Sequence, residues 1–206
     1  MSKVTVNVSS IILDKHEDTI LYVFDSEKQR LENLKNKAAH YSVHNDDEAV
    51  SNSLKEIIAH LNKRKDEQKA AKKASEGGFS EKDFIKDYPL ILVLIDDIKS
   101  YVDEVTNDNV NSMERICRLA QHLGVIVIAN GSISNIAKNN EIDTLTRSIV
   151  SYQNGLAVSG TPNQITFFRN NLKYNEKDVV LEVGNGYLFV SGECKSIKYI
   201  EKGDSL

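Results

Sequence analysis

The sequence predicts an α/β fold of three layers, with a mainly parallel central sheet and antiparallel strands added near the C-terminus. Three observations carry that prediction. Short Val/Ile/Leu-rich runs recur at ILYVF (20–24), LILVLI (90–95), VIVIA (125–129) and LAVS (156–159), without in-out alternation. Runs of that kind are how strands covered by helices on both faces read. Helical periodicity fills the intervals, and strand–helix alternation predicts a layered α/β architecture. After about residue 160 the pattern changes to short strand-like runs separated by turns.

Taken in order, the first twelve residues fit two templates. Val4, Val6 and Val8 alternate like a strand, whereas Val4, Val8, Ile11 and Ile12 form a helical stripe. Residues 46–74 open on Asp46 and Asp47 as N-terminal acids. They place Val50, Leu54, Ile57, Ile58 and Leu61 on one face, then turn basic in KRKDEQKAAKK. SEGGFSEKDFIKDY (75–88) reads as a polar surface loop. Asn111–Leu123 sets Met113, Ile116, Cys117, Ala120 and Leu123 three and four residues apart, and Gly124 supplies a C-terminal stop. Near the C-terminus, QITFF (164–168), VVLEV (179–183), YLFV (187–190) and SIKYI (196–200) read as strands. Gly184-Asn185-Gly186 reads as a hairpin turn.

Composition narrows the function. The 206 residues suit one domain, spanning 1–206. A formal net charge of −4 argues against general nucleic-acid binding, which needs a net basic face. Two cysteines, Cys117 and Cys194, sit among apolar neighbours and read as reduced, buried thiols. No apolar run approaches the ~18 residues of a membrane span, and no signal peptide opens the chain.

The chemistry concentrates at LILVLIDDIKSY (90–101), a buried strand ending in Asp96 and Asp97. Such a strand holds magnesium in phosphate-binding ATPases, but only beside a Gly-rich loop ending in Gly-Lys-Ser/Thr. The first glycine here is Gly77, and no Lys follows a Gly anywhere. The same two acids serve equally as turn and helix-capping residues. Other candidates are weaker. His16, His40, His44, His60 and His122 lack metal spacing, and Cys117 and His122 lie about 140° apart on a helix. Acids interleave the basic tract Lys63–Lys73, as on a solvated face.

The order of these elements resembles the FtsK/SpoIIIE family of ring-forming ATPases. More narrowly it resembles the C-terminal ATPase-like domain of the EssC/YukB branch, from Gram-positive type VII secretion. ILYVFDS (20–26), LILVLIDD (90–97) and RICRLAQHLGVIVIANGSIS (115–134) carry the likeness, together with GLAVSGTPNQITFF (155–168) and VGNGYLFVSGECKSIKYI (183–200). The resemblance implies a RecA-like three-layer sandwich and favours a helix over residues 3–13. It places Asp96 at the magnesium-associated acid of the Walker B strand and Asp97 where active members carry Glu. One methylene less withdraws that carboxylate by more than ~1 Å, enough to cost about 10²-fold in rate. It places Lys3 near the phosphate-loop Lys, with Val4 where Ser or Thr belongs, and Asn130 at the polar sensor position. Arg115, Arg118 and Arg147 are either trans-acting fingers or ordinary exposed helix residues.

These residues set the functional expectation. It is a non-motor or weakly nucleotide-competent domain of a membrane-tethered secretion ATPase, at the cytoplasmic face of the membrane. Its partners would be secreted WXG-type proteins or neighbouring ATPase domains of a ring, with no nucleic acid. No metal site is expected within the chain itself, while ATP and magnesium remain possible in a larger parent. Two alternatives stay open: a competent ATPase module whose phosphate loop lies upstream, and, less favoured, a DNA translocase domain.

Overall fold

The computed structural model describes residues 2–75, 77–120, 122–132 and 143–198, apart from 159, 162, 163, 166, 170, 174, 175 and 183. Side chains of residues 2–4 and 6 are not described. A parallel sheet of four strands forms the centre, in the order β2-β1-β3-β4. The strands are β1 (Ile20–Asp25), β2 (His40–Val43), β3 (Ile91–Ile95) and β4 (Val125–Ala129). In register, Tyr22 lies beside Val93 and His40, and Val93 lies beside Val127. Every residue of β3 is fully buried, as its uninterrupted apolar run requires.

Two helical layers close the sheet. On one face lie α2 (Asp47–Ala74) and α5 (Asn107–Ala120), contributing Leu54, Ile57, Leu61, Met113 and Ile116 to the larger core with Tyr22, Phe24 and Val93. On the other lies α1 (Ser2–Lys15), whose Ile12 and Leu13 cover Leu21, Val23, Leu92 and Leu94 together with Leu31 and Leu34. Helix was the correct reading of the first residues. Asp46 caps α2 by accepting a hydrogen bond from the Ala49 N–H at 3.1 Å.

Some expectations need correction. The loop at 75–88 contains a short helix, α3 (Glu81–Lys86), capped by Ser80. Two more short helices escaped the periodicity, α4 (Ile98–Glu104) and α6 (Thr144–Val150), because two turns are too short to establish a stripe. Strand β2 was also missed, since HYSV sits at the sheet edge and mixes polar with apolar residues. α5 begins at Asn107 and ends at Ala120, earlier at both ends than the expected Asn111–Leu123.

The C-terminal region forms a separate three-stranded antiparallel sheet of β5 (Gly155–Ala157), β6 (Asn185–Val190) and β7 (Glu193–Lys198). LAVS therefore feeds this small sheet and not the parallel one. The β6–β7 hairpin turns at Ser191-Gly192, both at positive φ, as a two-residue type I′ turn requires. Gly184-Asn185-Gly186 is not that turn, because Asn185 and Gly186 begin β6. A Cβ at Gly186 would stand 2.9 Å from the Ala157 carbonyl oxygen, so close backbone approach explains this glycine. The described parts of QITFF and VVLEV are not strands. Ile165 enters the small core, while Val179 and Val180 face solvent, so β propensity there found no partner.

Arg64 was unforeseen. Buried on α2, it donates to the carbonyls of Pro89 at 2.6 Å and Leu123 at 2.7 Å, and stacks on the Tyr88 ring. It thereby pins the entries to β3 and β4 to α2. Gly124, at φ 69°, makes room for it, since a Cβ there would lie 3.1 Å from the guanidinium. Arg64→Met should lower urea-unfolding stability by about 2–4 kcal/mol, because two carbonyls lose a charged donor. Arg64→Lys should recover only part, as one ammonium cannot span both.

Candidate functional site

The C-terminal ends of parallel strands gather the polar groups of the core. β1 ends in Asp25-Ser26, β2 leads into His44, β3 into Asp96-Asp97 and β4 into Asn130. Open α/β sheets bind ligands at this edge. Asp96 is fully buried, yet both carboxylate oxygens are engaged. The Ser26 hydroxyl donates to Oδ2 at 2.7 Å and the Asn130 amide donates to Oδ1 at 3.1 Å. Arg30 stands at the rim, its guanidinium 4.0 Å from Oδ1. The backbone is stitched as tightly, with the Asp96 N–H donating to Phe24 O and the Asn130 N–H to Ile95 O.

Asp97 points elsewhere. It occupies the left-handed region at φ 52° and caps α4, accepting a long hydrogen bond of 3.5 Å from the Ser100 N–H. Asp tolerates this conformation because its short polar side chain bonds locally. The capping reading of the second acid therefore describes its geometry, whereas the first acid is drawn inward.

A second buried carboxylate lies beside the first. Asp25 Oδ2 accepts from the Tyr41 hydroxyl at 2.6 Å and the Leu31 N–H at 2.9 Å. Its Oδ1 has no hydrogen-bond partner among the described residues. Burial, reinforced by the nearby charge of Asp96, pushes the Asp25 carboxyl up, against the Tyr41 and Leu31 hydrogen bonds. His44 is buried too, with Nε2 3.2 Å from Phe24 O and the ring edge-on to Tyr101. Burial pushes its imidazole down.

Both acids of the pair have protein partners among the described residues. Each Asp96 oxygen accepts one protein hydrogen bond, and Asp97 caps α4. Among these residues, no group of three His, Cys, Asp or Glu is placed to hold a metal ion. What the cluster does well is tie β1, β3 and β4 together through one carboxylate.

Comparison with solved structures places the whole architecture. ATPases 2 and 3 of EssC from Geobacillus thermodenitrificans superpose with a TM-score of 0.67 at 18% identity, covering 95% of this chain and 33% of that one. The cytoplasmic domain of EssC gives 0.65 at 18% identity, covering 87% of this chain and 33% of that one. The fold is that of the EssC ATPases. Thermomonospora curvata EccC, ATPases 2 and 3 in complex with a signal sequence peptide, gives 0.62 at 14% identity, covering 90% of this chain and 31% of that one. This chain thus spans about a third of each of these EssC and EccC chains. No family model and no curated protein matches the sequence.

On this EssC-type fold the expected site residues separate. Asp96 and Asn130 meet directly, while Asp97 turns onto α4. Lys3 lies in the first turn of α1, and its side chain falls outside the described part of the structure. Arg115 bonds Asn62 at 3.1 Å and Arg118 pairs with Glu114 on its own helix, so both have local partners. Ser26, Arg30, Asp25 and Tyr41 were missed. The Asp-Ser ending of ILYVFDS is the one signal in the sequence that marks two of them.

Two outcomes follow from this geometry. Asp97→Ala should cost about 1 kcal/mol in chemical denaturation through the lost cap and the strained φ, while Asp97→Asn should be nearly neutral. Because the folded-state pKa of Asp25 is raised, its contribution to stability is present below the ordinary carboxylate value of ~3.9 and is lost as pH rises through the folded value. Asp25→Asn should therefore gain stability relative to the parent protein between pH 3 and pH 7, measured by urea unfolding across that range.

Proposed function

We propose that this chain is a non-motor, or at most weakly nucleotide-competent, domain of a type VII secretion coupling ATPase. Its role is to bind secreted proteins or neighbouring ATPase domains of a ring at the cytoplasmic face of the membrane. The carrying observation is the EssC-type fold combined with an acid strand whose Asp96 is fully buried and held by Ser26 and Asn130. That arrangement supports retention of the scaffold without presentation of a carboxylate to magnesium. The signal sequence peptide in the EccC complex supports a peptide-binding role for a domain of this architecture. No described helix is long and apolar enough to cross a membrane.

The convergence of Asp96 with Asn130 across β3 and β4 favours one second reading, a competent ATPase module completed by a phosphate loop from elsewhere in the parent. Thermal unfolding separates the two. With magnesium present, ATP at millimolar concentration should leave the melting temperature of this chain unchanged. A rise of several degrees that disappears in Asp96→Asn would overturn the non-motor reading, since a ligand binding only the folded state must stabilise it.

A further inference from the structure

We propose that the distal part of α2 is a membrane-surface contact, where a stripe of exposed lysines docks this chain electrostatically on an anionic lipid bilayer. The inference is carried by the placement of charge and does not rest on the secretion reading. At about 100° per residue, Lys65, Lys69, Lys72 and Lys73 fall within an arc of about 100° around the helix. All four are exposed. Lys65, Lys72 and Lys73 have no carboxylate within ion-pair distance among the described residues, and Lys69 stands 3.8 Å from the exposed Asp66. The other side of the same turns is spent on the fold. Arg64 holds the carbonyls of Pro89 and Leu123, Glu67 accepts from the Tyr88 hydroxyl at 2.7 Å, and Gln68 donates to His122 O at 3.3 Å. Glu67, an acid that could have neutralised the tract, is thereby turned inward.

Charge is segregated along α2. Residues 63–73 hold six basic side chains and two acids, in a chain whose formal net charge is −4. The other end of the helix is acidic. Asp46, Asp47 and Glu48 open it, and hydrogen bonds from Thr106 and Asn109 to Asp47 bring Asp103, Glu104 and Asp108 to the same end. Lys99 there is paired with Asp103. From Glu48 to Lys65 the helix rises about 25 Å, three times the ~8 Å Debye length at physiological salt. A charged surface that meets the basic end is therefore screened from the acidic one, and the net charge does not decide the outcome.

Shape and side-chain type select the occupant. Arg64 stands level with the entries to β3 and β4, so the rest of α2 carries the helix about 15 Å past them. The stripe is convex and open to a flat surface. It lacks the groove or strand edge on which a peptide is held. Its cations are lysines alone. Lysine is a hydrated point charge without the planar fork that reads a fixed carboxylate or phosphate, and it suits the diffuse charge of a headgroup plane. No aromatic side chain stands among these lysines to stack on a base. The alanines beside them, Ala70 and Ala74, are too small to insert, so contact stays at headgroup level and is reversed by salt.

Vesicle co-sedimentation tests this directly. The probes are vesicles of phosphatidylglycerol in phosphatidylcholine, about one part in three, and vesicles of phosphatidylcholine alone. This chain should sediment with the first and not with the second, and raising the salt from about 0.05 M to about 0.5 M should release it. Each lysine beside an anionic surface strengthens binding about fivefold, so the combined variant Lys65→Gln, Lys69→Gln, Lys72→Gln and Lys73→Gln should weaken it by at least about thirtyfold. Glutamine keeps the helix propensity of an exposed position, so that variant should remain folded. Lys28→Gln, Lys35→Gln, Lys37→Gln and Lys195→Gln together change the net charge equally elsewhere and should alter binding by no more than about twofold.

Several results would overturn the proposal. One is no sedimentation with the anionic vesicles at low salt. Another is equal sedimentation with phosphatidylcholine alone, or binding that survives high salt. Equal losses in the two combined variants would make net charge the cause and remove the stripe from the account. Displacement of the chain from anionic vesicles by equimolar duplex DNA or polyglutamate would reassign the stripe to a nucleic acid or to an acidic protein.

Discussion

The structure depends on keeping β3 dry. A strand with no solvent-exposed residue needs a hydrogen-bonded neighbour on each side and a helical layer on each face. β1 and β4 supply the neighbours, α2 with α5 supply one layer, and α1 with the Leu31–Leu34 segment supplies the other. Arg64 secures the entry side of the strand by taking the carbonyls that precede β3 and β4. At the exit side the chain must leave the core through a polar residue, and Asp96 is that residue.

The burial of Asp96 explains why the exit is polar yet closed. A carboxylate removed from water is tolerable only when its lone pairs are met by donors. Ser26 at the end of β1 and Asn130 at the end of β4 meet them, so one side chain fastens three strands. Asp25 lies in the same layer with one oxygen unmet, and it responds by holding its proton more tightly. The two acids of the Asp96-Asp97 pair have opposite fates because successive residues leaving a strand point apart. One becomes a tie within the sheet and the other a helix cap.

This division bears on function through what each acid has left to offer. An acid that coordinates a metal or orients water must keep an oxygen directed at the ligand. Here the oxygens of Asp96 are directed at protein groups, and the EssC-type scaffold persists around them.

Much of the fold was legible in the residues. The apolar runs located β1, β3 and β4, the stripe of Val50, Leu54, Ile57 and Leu61 located α2, and Asp96 with Asn130 stood out at strand ends. Burial imposes periodicity directly on sequence, so long buried elements declare themselves. Short or edge elements do not: β2, α4 and α6 carry too few residues to show a period. The hairpin turn was misplaced because Gly186 answers to the nearby Ala157 carbonyl oxygen, a contact absent from the linear chain. Likewise Ser26 and Arg30 reach Asp96 only once β1 lies beside β3, and Tyr41 reaches Asp25 only once β2 lies beside β1. The sequence by itself determined the layered α/β architecture and the acid-ended central strand, since hydrophobic burial acts residue by residue. The tertiary structure alone decided that Asp96 is tied and Asp97 is turned away. Hydrogen-bond direction and strand order arise only when distant segments meet.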